Sequence, residues 1–344
     1  MGKTYRTADF DYEYPPDTVA QHPLPDRSAS RLLVLDRASD TVHHRRFAEF
    51  PTLLDSGDVL VLNTSRVIPA RLKGVRENGR EAEVLLVHPE PDGQWLAMVH
   101  PGGKLKAGRT IRFGDDAIAH VVSVLQGGLR RLAFSGTVDV PTLMRRYGSV
   151  PLPPYIARPV VPSDRERYQT IYANADGSVA APTAGLHFTA ALLDRISKRG
   201  IEIVETMLHV GPGTFKPIET DDPARHTMHA EWYSVSEASA RRVNTAKAQG
   251  HRVWAVGTTV ARTLETVAME DTVRAGSGWT DLFIYPPYRF RIVDALLTNF
   301  HLPRSTLLML VAAFAGYERA MAAYRDAIRE RYRLFSYGDA MAIT

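Results

Sequence analysis

The sequence contains no cysteine. That excludes disulfides, thiolate metal sites and a cysteine nucleophile, and it fits a reducing compartment such as the cytoplasm. Long apolar runs are missing too. The longest, residues 307–315, covers nine positions, far short of the ~20 needed to span a bilayer. The N-terminus is polar and then acidic, with no apolar segment of the kind an export signal needs. There is no internal repeat and no low-complexity tract. These absences predict a protein that works in the cytoplasm and away from membranes.

What is present is a globular composition. Apolar residues make up 44% and charged residues 23% of 344 positions, enough for a packed core and a length that suits two domains. The net charge of +4 is unevenly placed. Between Arg66 and Tyr147 there are thirteen Lys/Arg against eight Asp/Glu, so the remainder of the chain is slightly acidic. Such a segment suits a polyanionic partner, and it equally suits a solvated basic surface.

The pattern of elements changes along the chain. Residues 31–36 and 58–62 read as short strands. Four β-rich runs follow, at 82–88, 94–100, 117–125 and 129–135, separated by turn signals such as Asn78-Gly79 and Asp92-Gly93. Short strands at that spacing, with no helical period, predict a small antiparallel β-barrel. A helix is expected over 139–148, then a proline-dense linker from Val150 to Pro162. Beyond it strands (201–209, 251–256, 281–285) alternate with helices (189–200, 236–250, 259–270, and a long one from about 305). The expected fold is therefore α/β, a layered mixed domain from residues 1–66 and 148–344, with an inserted basic β-barrel domain over 67–147.

Chemistry-bearing residues concentrate in residues 182–303. In Ala181-Pro-Thr-Ala-Gly-Leu-His-Phe-Thr189 a loop delivers His187 just before a helix N-terminus, where free N–H groups favour polar ligands. In His209-Val-Gly-Pro-Gly-Thr-Phe-Lys216 two glycines permit close backbone approach, although no phosphate-loop ending is present. His226-Thr-Met-His229-Ala-Glu231 has metal-ligand chemistry without the spacing of a helical zinc site, so it reads as either a loose metal site or a polar pocket. His251-Arg-Val-Trp-Ala-Val-Gly-Thr-Thr-Val-Ala-Arg262 runs from a strand into a helix, a natural pocket wall. Asp281, Asn299 and His301 are polar points between apolar segments, and are either structural hydrogen-bonders or site residues. Taken alone, these motifs leave three readings open: a proton-transfer enzyme, a metal-dependent hydrolase on His226, His229 and Glu231, and a non-catalytic RNA binder.

Taken in order, the motifs resemble one family over nearly the whole chain, S-adenosylmethionine:tRNA ribosyltransferase-isomerases of queuosine biosynthesis. The resemblance rests on Gln21-His-Pro-Leu-Pro-Asp-Arg-Ser28, Gly57-Asp-Val-Leu-Val-Leu-Asn63, Arg66-Val-Ile-Pro-Ala-Arg-Leu72, Pro151-Leu-Pro-Pro-Tyr-Ile156, Ala180-Ala-Pro-Thr-Ala-Gly-Leu-His-Phe188, His209-Val-Gly-Pro-Gly-Thr-Phe215, Val293-Asp-Ala-Leu-Leu-Thr-Asn-Phe-His-Leu-Pro303 and Phe335-Ser-Tyr-Gly-Asp-Ala-Met341. It departs from the family pattern at Thr64-Ser65, Val260-Ala261 and Pro286-Pro287.

The resemblance implies a barrel beside an α/β domain, and transfer with isomerisation of the ribosyl group of S-adenosylmethionine (SAM) onto an aminomethyl-deazaguanine of tRNA. It implies no metal and no cofactor beyond SAM as co-substrate, and a monomer. Such chemistry needs general acids and bases. The expected proton-transfer groups are His187, His209, His229, Glu231, Asp281 and His301. Gly211, Gly213, Thr214, His226, Gly257, Thr258, Thr259, Arg262 and Asn299 are expected to bind the substrates. Asn63, Arg66, Arg71, Arg109, Arg112, Arg130 and Arg131 are expected to hold tRNA.

Overall fold

The computed structural model describes residues 4–211, 213 and 217–344. The N-terminal part carries β1 (Arg31–Asp36), β2 (Thr41–Arg46), β3 (Val59–Asn63) and β4 (Ser65–Val67). Six strands follow: β5 (Arg71–Arg76), β6 (Glu81–Pro89), β7 (Trp95–His100), β8 (Thr110–Phe113), β9 (Ala117–Val124) and β10 (Arg130–Gly136). Next come α1 (Val140–Tyr147), β11 (Gly148–Ser149), α2 (Asp164–Arg167), β12 (Ala175–Ser178), α3 (Ala190–Lys198), β13 (Glu202–Leu208), β14 (Glu231–Val235), α4 (Glu237–Ala248), β15 (Val253–Val256) and α5 (Thr258–Thr266). The chain finishes with β16 (Ala268–Met269), β17 (Thr272–Val273), β18 (Gly276–Thr280), β19 (Ala295–Asn299), α6 (Thr306–Ala315), α7 (Tyr317–Arg329) and β20 (Ala340–Ile343).

Nine strands form one mixed sheet in the order β18-β14-β13-β3-β15-β19-β20-β1-β2. Its centre, β13-β3-β15-β19, is parallel. Central parallel strands are covered on both faces and so read as unbroken apolar runs, as Val59-Leu-Val-Leu does in β3. Val59 and Val61 face the layer that contains Val243, Val260, Leu264 and the apolar side of α6 and α7. Leu60 and Leu62 face the opposite layer, with Phe47, Phe50, Leu192 and Ile196. Each such side chain contributes roughly 1.5–3 kcal/mol on burial. The parallel centre matters for function because all four strands end at the same edge of the sheet.

The second sheet is closed. β5-β6-β7-β10-β9-β8 are antiparallel neighbours, and β5 also pairs with β8 through Val75 opposite Arg112. In β9 the alternation of buried Ala117, Ala119 and Val121 with exposed Ile118, His120 and Val122 shows the inside-outside rhythm of a barrel wall. Leu72, Val84, Ala97, Ile111, Phe113 and Leu132 fill the interior. The mixed α/β fold with an inserted antiparallel barrel is as the sequence pattern implies.

Three local expectations fail for identifiable reasons. The strand expected at 281–285 is instead Gly276–Thr280, paired to β14 across Trp232 and Trp279; the apolar 282–285 segment packs against the core without a strand partner. The long C-terminal helix breaks at Gly316, whose φ of +90° is open to glycine at little cost. Its two halves are bent by 114°, and among the described residues no single helix is long and apolar enough to cross a membrane. Strands β5 and β8 escape the pattern, the first because Lys73 and Gly74 interrupt it and the second because it has only four residues.

Candidate active site

Ligands in open α/β sheets gather beyond the carboxyl ends of parallel strands. Here that edge carries Asn63, Leu208, Val256 and Asn299, the last residues of β3, β13, β15 and β19. A pocket opens there, lined by Pro182–Ala184, Val210, Gly257, Thr258, Thr259, Asn299 and His301, with Tyr155, Phe335 and Ser336 closing its far side. The N-terminus of α5 points into it. Gly257 supplies no side-chain cap, so the first-turn N–H groups stay available for a ligand and the helix dipole favours an anionic one. Asn299 is 1% exposed. Its amide nitrogen donates to the carbonyls of Phe335 (3.2 Å) and Asp339 (3.4 Å), whereas Oδ1 has no hydrogen-bond partner among the described residues. A buried acceptor without a donor costs ~1–3 kcal/mol, which a ligand N–H would recover.

His301 lines the same pocket. Burial pushes its imidazole down to about 3, so it is neutral at physiological pH. Its Nε2 lies 2.7 Å from Thr298 Oγ1, and that hydroxyl lies 3.4 Å from the carbonyl of Asn299. In the tautomer where the hydroxyl donates to the carbonyl and accepts from Nε2–H, Nδ1 is the free base.

A second, larger cavity lies between the barrel and the outer strands of the sheet. His88, Leu96, Met98 and Leu129 come from the barrel; Gly211, Gly213, His229, Trp232 and Trp279 come from the α/β part. The two spaces meet at one short loop, since Val210 lines the first and Gly211 the second. His209 stands at the start of this loop. Its Nδ1 is 2.7 Å from Ser65 Oγ, and its ring stacks on Trp232 at 5.3 Å. Burial lowers its pKa, with Asp176 acting in the opposite sense. Gly177 makes this possible, because a Cβ there would come within 2.5 Å of the His209 ring. Glu231 then fixes the loop. Its Oε1 accepts from Gly211 N–H at 2.6 Å while Oε2 meets the guanidinium of Arg262.

The model of the queuosine biosynthesis protein family matches residues 7–343 of this chain. The chain belongs to that family. It is similar to the S-adenosylmethionine:tRNA ribosyltransferase-isomerases of Moorella thermoacetica, 52% identical over 98% of this chain and 99% of that one, and of Symbiobacterium thermophilum, 53% identical with the same coverage. It also matches the crystal structure of the S-adenosylmethionine tRNA ribosyltransferase from Thermotoga maritima, with a TM-score of 0.57 and 40% identity over 98% of this chain and 100% of that one.

For a queuosine biosynthesis protein, the expected site residues fall into distinct groups. Gly257, Thr258, Thr259, Asn299 and His301 come together in the edge pocket, Gly211, Gly213 and His229 in the cleft, and His209 between them. Thr214 lies outside the described residues. Several expectations need correction. His187 reaches neither space by its ring. It is 5% exposed, its Nδ1 pairs with Ser30 Oγ at 2.8 Å and Nε2 with Asn299 Nδ2 at 3.3 Å, and burial, aided by Arg27 and Arg333, pushes it down to about 3. Its ring holds Asn299 instead.

Glu231 and Arg262 occupy each other, both buried, so neither is free for proton transfer or substrate. Asp281 is exposed just beyond β18, away from both spaces. His226 packs on Phe283 at 5.3 Å. Among the described residues no three His, Asp or Glu converge as metal ligands.

The RNA-binding expectations divide in the same way. Asn63 is 1% exposed and uses its amide to join β3, Leu208 and Thr259, a structural cross-link rather than an RNA contact. Arg130 is buried, donating to carbonyls of Gly102, Leu105 and Gly128. Arg131 is engaged by Glu90 and Arg71 by Glu83. Arg66, Arg109 and Arg112 remain exposed. Sequence reasoning missed Trp232, Trp279, His88 and Met98; the signal for the two tryptophans is that facing positions on antiparallel strands share a face.

Proposed function

We propose that this protein transfers and isomerises the ribosyl moiety of SAM onto 7-aminomethyl-7-deazaguanine at the wobble position of tRNA, giving epoxyqueuosine and releasing adenine and methionine. The observation that carries this reading is the pair of cavities meeting at the loop His209-Val210-Gly211 in a chain of this family. A two-substrate transfer needs two adjoining spaces.

In this reading SAM fills the edge pocket. Its single anionic group, the methionine carboxylate, sits at the uncapped first turn of α5 near Thr258 and Thr259. The unpartnered Oδ1 of Asn299 accepts from the amino group of adenine. The acceptor base enters through the cleft, where Gly211 and Gly213 allow close approach. The acceptor ammonium must lose a proton before it attacks, the carbon beside the sulfonium must lose another, and adenine leaves more readily once protonated. His209, His229 and His301 are the groups placed to move these protons. Arg66, Arg109 and Arg112 hold phosphates, positioning the RNA without reading it. No metal or further cofactor takes part, and the protein works as a cytoplasmic monomer.

The test is incubation with SAM and tRNA carrying the aminomethyl-deazaguanine, followed by nucleoside mass spectrometry. The expected result is adenine release matched by epoxyqueuosine, unchanged after exhaustive chelation. Absence of both products where the tRNA binds overturns the reaction. Chelator-sensitive activity with stoichiometric zinc overturns the metal-free part.

A further inference from the structure

We propose that a row of aromatic rings runs from the reaction loop to the barrel and holds unstacked nucleobases of the RNA substrate, with Trp279 as its main platform. The inference rests on the function proposed above. The row begins at His209, whose ring stacks on Trp232 with planes 20° apart. Trp232 in β14 faces Trp279 in β18 as a direct cross-strand partner, and such partners project from the same face of the sheet. Trp279 then meets His88 of the barrel across the cleft, ring centres 4.8 Å apart. Trp232, Trp279 and His88 thus line the cleft together with Met98, Leu96 and Leu129, and His209 stacks behind Trp232.

Exposure separates this row from ordinary packing. Trp279 is 52% exposed although it lies inside a cleft of about 780 Å³, a size suited to a ligand rather than to a packing defect. A large aromatic surface left wet is unfavourable unless something flat and apolar covers it. Enzymes that modify a base within structured RNA must take it out of the stack, which also exposes its neighbours. Base–aromatic stacking recovers that loss and is indifferent to sequence, since every base has a π-face. The wall fits that use: its outer part offers rings and aliphatic side chains, and its inner end is the glycine-lined loop where a sugar-phosphate chain can approach closely.

The experiment uses an anticodon stem–loop RNA with the full-length enzyme. Titrating it without SAM should quench tryptophan fluorescence, and Trp279→Phe should lose much of that quench while still binding. In steady-state assays Trp279→Ala should raise KM for the tRNA about tenfold or more, with KM for SAM within about twofold, and Trp279→Phe should recover most of the loss. Trp279→Leu keeps apolar bulk without a π-face and should behave like Trp279→Ala. Equal tRNA KM for wild type and folded Trp279→Leu overturns the platform and leaves the reaction standing. Quenching that depends on Trp279 without product formation in the wild type supports the platform and sinks the reaction.

Discussion

At the carboxyl edge of the nine-stranded sheet, polar groups are buried and several are held ready for a ligand. On the barrel, by contrast, several arginines are already matched. Asn299 Oδ1 has no hydrogen-bond partner among the described residues, and His301 is neutral in its pocket. Arg71, Arg131 and Arg146 each face a carboxylate, and Arg130 is turned inward to carbonyls. The difference teaches that a basic balance in the sequence overstates the charge available to a partner.

The sharpest way to break this comparison is at His301. Its replacement by Gln should lower the rate of product formation by about 10²–10⁴-fold, with the protein still folded and the tRNA still bound. A rate within a few-fold of wild type would remove His301 from the proton-transfer groups.

A medium effect is expected from the buried neutral histidines. His187 and His301 are both pushed down to about 3 by burial, against about 6.5 in the unfolded chain. The unfolded state therefore binds protons first. Their contribution to stability is fully present above about pH 6.5 and is lost as pH falls from there towards 3. At pH 5 each costs roughly 2 kcal/mol. Urea unfolding at pH 7.5 and 5.0 should show the loss, and His187→Asn should shrink the difference between the two by about 2 kcal/mol. An unchanged pH dependence would mean that His187 titrates normally.

The smallest effects belong to the barrel surface. Arg109→Gln with Arg112→Gln should change stability by no more than about 1 kcal/mol, because exposed pairs contribute little. The slope of log affinity for tRNA against log salt should flatten by about 1–2. Arg130→Gln should do the reverse, destabilising the barrel with little effect on the slope. If the Arg109→Gln/Arg112→Gln variant leaves the slope unaltered, the basic excess is surface decoration.

Much of this was readable in the sequence for physical reasons. The unbroken Val59-Leu-Val-Leu run marks a strand buried on both faces, and turn pairs such as Asn78-Gly79 mark the barrel hairpins. The edge pocket was legible because Gly257-Thr258-Thr259 and Thr298–His301 each follow an apolar strand. What could not be read was which polar residues face each other. Glu231 and Arg262 are 31 positions apart, and only the packing of α5 on the outer strands turns a candidate catalyst and a candidate substrate binder into one ion pair. His187 looked reactive because its loop precedes a helix. Ser30, from the other end of the chain, claims its ring. The cleft combines residues from the barrel with residues from β14 and β18, so no local motif announces it.

The loop His209-Val210-Gly211 has one more consequence, for the order of events. In the proposed reaction it is a partition three residues thick, with the donor on one side and the acceptor on the other. Neither substrate then has to pass the other to reach its place. Kinetically, such a partition favours random-order loading, with commitment set by the moment both sides are occupied.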